Sequence, residues 1–376
     1  MSSSWPADGP RVLIMNAYSA GNAGDGLLIE LASETVRLAL AGADIRVVCS
    51  DAASFKDPYR FVQWRGPADG EPSTLRRQRI SMVGATMIGA APQIRDLVRQ
   101  ADLVLGVGGG YLRGGHMIES LKSYGAHVGQ IQLARSAADR TVYLPQSIGP
   151  FRHGYGKIIR RALSPMRMVC VRDDRSVRTL SGLSNVRRYP DLAVLALSRR
   201  PPKRREVAGG RPVFVARELK YPRSYYDLLA DVASSGRFDW AVQSIGRGNN
   251  DFPLTQRLSA TIAPPRLADV LAEGPSRVVV STRLHGAMGA IMTGHLAIHL
   301  SYERKGWGAF EDLGIPDLVL NARDATFGEV MSKVEAVQAD PDSYWSRIHD
   351  GLDRLRGRDR SLIDELAKVC RTGRVG

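Results

Sequence analysis

Cysteine is scarce in this chain: Cys49, Cys170 and Cys370 are the only three among 376 residues, far apart and without a Cys-x-x-Cys pair. An odd, scattered set indicates neither a disulfide framework nor a zinc site, and it fits a reducing compartment. The expected location is the cytoplasm. Long apolar runs are missing as well. The longest, Gly286 to Leu300, contains His295 and His299, and it falls short of the roughly 20 residues that span a bilayer. Met1 to Pro10 lacks the basic-then-apolar order of a signal peptide, so any membrane contact is expected to be peripheral. Aromatic residues amount to 7% and do not interleave with the cations. With no zinc-finger, RNP or helix-turn-helix pattern either, nucleic acid is not an expected partner. Acidic residues are outnumbered, 38 against 52 Lys and Arg, which leaves a formal charge of +14. Such an excess favours phosphorylated substrates, diphosphate-linked lipids or an anionic membrane.

The length suits two cores rather than one. Arg11 to Asn16 reads as a buried strand, Gly24 to Leu40 as a helix and Asp44 to Cys49 as a second strand. Further strands are expected at Leu103 to Val107, Thr141 to Pro145 and Met168 to Val171, with helices near Ile118 to Ala138 and Tyr155 to Leu163. Alternation of this kind signals a parallel sheet covered on both faces. Pro58 to Thr74 reads as a surface excursion. Leu197 to Pro212 carries Arg199, Arg200, Lys203, Arg204 and Arg205 around two prolines and breaks both periodicities. The alternation then restarts with strands at Val213 to Ala216, Trp240 to Ile245, Val278 to Ser281 and Leu296 to Leu300. The expected organisation is an N-terminal Rossmann-like domain over residues 1–197, a basic linker over 198–212, a second Rossmann-like domain over 213–325, and a helical tail over 326–376 packing back on the first domain. Two such domains facing a cleft make an α/β architecture of the GT-B type.

Several motifs sit at strand ends. Asn22-Ala23-Gly24-Asp25 opens the first helix, where Asp25 either caps the helix or joins Asn22 in hydrogen-bonding sugar hydroxyls. Gly108, Gly109 and Gly110 follow a strand directly, and three consecutive glycines there suggest room for a ligand. Gln146 and Ser147 occupy another strand-end turn. Arg172 precedes Asp173 and Asp174, with a salt bridge and a ligand role equally compatible with the spacing. Arg283-Leu284-His285-Gly286 lies between a strand and an apolar helix, followed by Tyr302 and Lys305. Two cations and an imidazole at a strand-to-helix turn suit a small, multiply charged anion.

Taken in order, Asn22 to Asp25, the triple glycine, Gln146 to Pro150, Val171 to Ser176, Asp191, Arg283 to His285 and Tyr302 to Lys305 resemble the blocks of the polysaccharide pyruvyl transferase family. The resemblance implies a GT-B-like fold and transfer of the pyruvyl unit of phosphoenolpyruvate onto two hydroxyls of one sugar, forming a cyclic ketal and releasing phosphate. It implies no metal and no cofactor beyond the donor substrate. Carried onto this chain, it places His285 at the proton transfer and Arg172, Arg283, Leu284 and Lys305 at phosphoenolpyruvate. Asn22, Asp25, Gly109, Gly110, Gln146 and Ser147 would then line the cleft or meet the acceptor, which is a polysaccharide, lipid-linked glycan or glycolipid. Arg304 beside Lys305, the Arg-rich stretch Gln63 to Gly89, and Arg217 as a loosely matching strand-end arginine depart from the family pattern. The competing expectation is a GT-B glycosyltransferase using a sugar nucleotide. It would need an acidic ribose ligand after His285, and none occurs before Glu303.

Overall fold

The computed structural model describes residues 5, 9–57, 60–64, 92–114, 127–152, 154–207, 209–220, 222–246, 249–302 and 305–373. Most of the Pro58 to Thr74 excursion and of the Arg-rich stretch, the first part of the helix expected from Ile118, and Glu303 and Arg304 lie outside them. The chain forms two compact units. One comprises Met1–Ala20, Leu28–Leu192 and Arg360–Gly376; the other comprises Gly21–Leu27 and Ala193–Asp359.

In the first unit, β1 (Arg11–Ala17), α1 (Ala23–Ala39), β2 (Asp44–Cys49), β3 (Phe61–Gln63), α2 (Pro92–Gln100), β4 (Leu103–Gly106), β5 (Gly109–Gly114), α3 (Gly129–Ala134), β6 (Thr141–Phe151), α4 (Tyr155–Leu163), β7 (Met168–Val171), α5 (Asp174–Thr179) and β8 (Val186–Arg188) follow one another. The sheet order is β3-β2-β1-β4-β6-β7-β8, with β5 beside β6, and every pairing is parallel. Residues Val12 to Ala17 of β1 and all of β4 and β7 are buried. Burial of both faces explains why these strands read as continuous apolar runs rather than alternations.

In the second unit, α6 (Leu192–Arg199) leads to β9 (Val213–Val215), α7 (Arg223–Ser235), β10 (Asp239–Trp240), a hairpin of β11 (Ile245–Gly246) and β12 (Asn249–Asn250), α8 (Phe252–Ser259), α9 (Leu267–Ala272), β13 (Val278–Ser281), α10 (Leu284–Met292), β14 (Leu296–Ser301), α11 (Lys305–Asp312), β15 (Val319–Asn321), α12 (Phe327–Ala339) and α13 (Pro341–Gly373). The sheet order is β10-β9-β13-β14-β15, again wholly parallel. The strand expected over Trp240 to Ile245 stops at Trp240: Ala241 N–H still bonds the Phe214 carbonyl of β9 at 3.1 Å, but Val242 N–H turns to the Pro265 carbonyl at 2.9 Å. Ser244 N–H bonds the Asp251 carboxylate at 3.1 Å, and Ile245 N–H bonds the Gly21 carbonyl at 3.0 Å.

The stretch expected as a linker, 198–212, belongs to the second unit. It begins inside α6, and its cations are largely committed within that unit. Arg199 pairs with Asp359 at 2.7 Å and Arg204 with Asp342 at 3.1 Å. Arg205 donates to the carbonyls of Thr293 and Gly274 at 2.8 Å and of Leu271 and Ala272 at 3.0 Å, so one guanidinium satisfies acceptors at the C-terminal ends of both α9 and α10. The tail also divides differently from the expectation. Helix α12 packs on α7, β13 and β14 of the second unit, and of the C-terminal helix only the portion from Arg360 groups with the first. No helix among the described residues is long and apolar enough to cross a membrane.

Candidate functional site

In the second unit the chain enters at β9, moves outward to β10, then returns past β9 to β13. Between β9 and β13 the winding reverses, and in open parallel sheets ligands bind outside the carboxyl ends of the strands at such a point. Val215 and Ser281 end their strands in register. Beyond them come Arg217 on one side and Thr282, Arg283, Leu284 and His285 on the other. The Tyr225 hydroxyl ties the two ends together: it donates to the Arg217 carbonyl at 3.0 Å, accepts from Arg217 N–H at 3.2 Å, and bonds Thr282 Oγ1 at 3.0 Å. Buried in this way, the Tyr225 phenol is pushed up to about 12, with burial the main cause.

Arg283 is the N-cap residue of α10. Ser281 Oγ fixes its backbone, donating to the Arg283 carbonyl at 2.8 Å and accepting its N–H at 3.1 Å. The guanidinium is buried and forked onto Asp251, with Nε and Nη2 each 2.6 Å from a carboxylate oxygen. That leaves Nη1 outside the pair. Arg217 is hydrogen-bonded to the Tyr302 hydroxyl and stacks over its ring, 4.9 Å from the centroid. Leu284 and His285 are partly buried. Behind them, Gly286 has no room for a side chain, since a Cβ would stand 2.6 Å from both Gln243 Oε1 and Ser281 Oγ.

The first turn of α1 belongs to this group. Asn22 begins the helix, accepting the Asp25 and Gly26 N–H groups at 3.0 Å on its carbonyl and the Gly24 N–H at 3.2 Å on its side chain. Its amide also donates to the Asp25 carboxylate at 2.8 Å. Burial holds the Asp25 carboxyl above its usual range, against the opposing pull of His285, Asn22, Arg283 and Arg217. Asn22 therefore caps α1, while Asp25 shares the surroundings of His285, Arg283 and Arg217. Gly24 has the space a cap does not explain. A Cβ there would stand 3.0 Å from His285 Nδ1, so its missing side chain is what admits the imidazole.

His299, opposite Ser281 in the ladder, is a packing residue. It is hydrogen-bonded to the Ser281 carbonyl at 2.8 Å and stacked on Phe310, and burial lowers it to about 4. Lys305 opens α11, but its side chain lies outside the described residues.

The remaining expected residues lie in the first unit. Arg172 is buried at the end of β7, bonded to Asp191 and to Ser147 Oγ at 3.0 Å, which is the salt-bridge alternative left open by the spacing. Ser147 donates in turn to Asp173 at 2.6 Å, and Asp173 caps α5 through Ser176 N–H. Gln146 is fully buried in β6. The glycine run has packing reasons that sequence reasoning did not supply. A Cβ at Gly106 would stand 2.3 Å from the Tyr143 ring, one at Gly108 would stand 2.6 Å from the Pro145 carbonyl oxygen, and Gly109 has φ +143°.

The sequence profile described as polysaccharide pyruvyl transferase matches residues 22–304, from the cap of α1 to beyond the end of β14. The chain belongs to the polysaccharide pyruvyl transferase family. Among curated proteins none matches the sequence. Solved structures share its fold at low identity. Anabaena Alr3699/HepE in complex with UDP and glucose aligns with TM-score 0.52 and 12% identity, over 96% of this chain and 99% of that one. A glycosyltransferase from Rickettsia africae aligns with TM-score 0.50 and 10% identity, over 96% and 99%. These likenesses establish a GT-B fold for this family member, with two parallel α/β units and a C-terminal helix.

Proposed function

We propose that this family member transfers the pyruvyl unit of phosphoenolpyruvate onto two hydroxyls of one sugar in a polysaccharide, lipid-linked glycan or glycolipid. The observation that carries the reading is the grouping of Arg217, Arg283, His285 and Asp25 around the switch point of the second sheet. Two guanidinium groups suit the carboxylate and phosphate of the donor, Arg being able to bond either with a two-pronged fork. The start of α10 adds the positive end of the helix dipole on the same side.

The reaction balances without an external reagent. A proton added to C3 of the enolpyruvyl group makes it a methyl group and gives C2 oxocarbenium character. One sugar hydroxyl attacks C2, the bond from C2 to the phosphate oxygen breaks, and the second hydroxyl closes the ring. Of the two hydroxyl protons, one replaces the proton delivered to C3 and the other leaves with phosphate. His285, partly buried and cation-flanked, is the group suited to deliver that proton, and positioned acids and bases contribute about 100- to 10,000-fold. Arg283 and Lys305 would bind the donor and stabilise the departing phosphate. Arg172, neutralised by Asp191, is better suited to hold the strand end than to meet the donor. The acceptor would be met at the inner face of the cell membrane.

The test is phosphate release from phosphoenolpyruvate over a panel of lipid-linked and free glycans, with the product examined by NMR for a ketal carbon. Acceptor-dependent release with ketal formation supports the reading. Turnover of a sugar nucleotide on the same panel, with phosphoenolpyruvate inert, replaces it with glycosyl transfer.

A further inference from the structure

Asp251 stands outside every motif of the sequence, between the β11–β12 hairpin and α8. Its side chain is 1% exposed, and its carboxylate serves two groups at once. One is Arg283, through two bonds of 2.6 Å. The other is the N–H of Ser244, at 3.1 Å from the oxygen that also accepts Arg283 Nε. The Asp251 N–H returns a bond of 2.8 Å to the Ser244 carbonyl. Ser244 in turn holds the entry to α1. It forms an isolated antiparallel bridge with Asn22, its hydroxyl lies 3.3 Å from the Gly21 carbonyl, and the Ile245 N–H bonds that carbonyl at 3.0 Å. Gly246 keeps this contact close, because a Cβ there would stand 3.0 Å from the Gly21 carbonyl carbon. A continuous path of hydrogen bonds therefore runs from the Arg283 guanidinium through Asp251 and Ser244 to Gly21 and Asn22, and from Asn22 to Asp25.

Stability alone is a poor reason for such a pair. Desolvating two charges offsets most of their attraction, and an apolar pair of similar volume often serves a fold as well. What the pair adds is direction. A forked carboxylate fixes the plane of the guanidinium, and its third bond fixes the segment against which the α1 turn is laid. We propose that Asp251 is a positioning residue that locks Arg283 and the Gly21–Asp25 turn into one arrangement, so that the cation of the site and the turn facing His285 share a single geometry.

Asp251→Asn tests this, because it keeps the size and an acceptor for Ser244 while turning an NH₂ group or a single neutral oxygen toward the guanidinium. Without any substrate, the amides of Gly24, Asp25 and Gly26, all bonded to Asn22, should exchange with solvent at least about tenfold faster than in the parent protein. The amides of α12 should be unchanged, which separates a local joint from general loosening. A second readout rests on the phosphoenolpyruvate reading above. KM for phosphoenolpyruvate should rise about tenfold or more with a smaller change in kcat, and Asp251→Asn should add nothing to the loss already caused by Arg283→Ala. If Asp251→Asn does not fold, Arg283→Lys keeps the opposite charge but not the fork, and the same faster exchange at Gly24 to Gly26 is expected. Unchanged exchange in a folded variant overturns the joint, even if phosphoenolpyruvate binds. Faster exchange in a protein that does not bind phosphoenolpyruvate keeps the joint and removes the donor assignment instead.

Discussion

Gly24, in the first turn of α1, backs onto the imidazole of His285, with the position of a Cβ 3.0 Å from Nδ1 and 3.2 Å from the histidine Cβ. This close approach joins two motifs from distant parts of the sequence. Gly24→Ala weighs two effects against each other. Alanine is favoured over glycine in helices by up to about 1 kcal/mol, whereas the added methyl forces the imidazole to give by a few tenths of an ångström. The expected result is a stability within about 1 kcal/mol of the parent by thermal unfolding, with turnover at least about tenfold lower because a reacting group has been displaced. Full turnover in Gly24→Ala would show that the placement of the histidine is not critical.

Asp25→Asn separates function from stability. Burial raises the Asp25 carboxyl above the usual carboxylate range, so the folded protein holds that proton more tightly than the unfolded chain. The charged form therefore costs stability, starting as pH rises through the unfolded value and persisting above the raised folded one. Asp25→Asn should be at least as stable as the parent at neutral pH, and the difference should disappear below the unfolded value. Turnover should fall nonetheless. Denaturant unfolding across a pH series measures the sign, and a variant less stable at neutral pH would mean that the cations around Asp25 outweigh its burial.

Arg205 is expected to matter for folding rather than for membranes. It donates to four carbonyls at the ends of α9 and α10, and a well-buried charged hydrogen bond contributes about 1.5 to 3 kcal/mol net of its exchange with water. Part of the group is exposed, so Arg205→Ala should lose about 2 kcal/mol in all. Binding to anionic liposomes should be unaffected. A stable variant with weakened liposome binding would restore a membrane role to this stretch.

The parts of the fold legible in the sequence were those written locally. Val278 to Ser281 and Leu296 to Ser301 are buried along their whole length, so each appears as an apolar run flanked by a turn. Arg283 to His285 was legible for the same reason, as a strand end followed directly by a helix start. What escaped depends on partners distant in sequence. Asp251 acquires meaning only when it meets Arg283. Gly108 looks like room for a ligand until the Pro145 carbonyl of the neighbouring strand fills the space. The strand expected through Ile245 had the right composition, but Pro265, Asp251 and Gly21 take its backbone donors beyond Ala241 out of the sheet. The basic linker is expected from charge, proline and a break in periodicity, and none of these reveals which carbonyls and carboxylates lie within reach.

The central claim is that His285 carries the proton on which ketal formation turns, and acceptor-dependent phosphate release from phosphoenolpyruvate by His285→Ala tests it most directly. The account predicts a folded variant whose turnover is lower by at least about 100-fold. Its phosphoenolpyruvate affinity should fall much less than that of Arg283→Ala, because a proton-transfer group acts mainly in the transition state. Near-normal turnover by His285→Ala, on an acceptor that the parent protein uses, would contradict it.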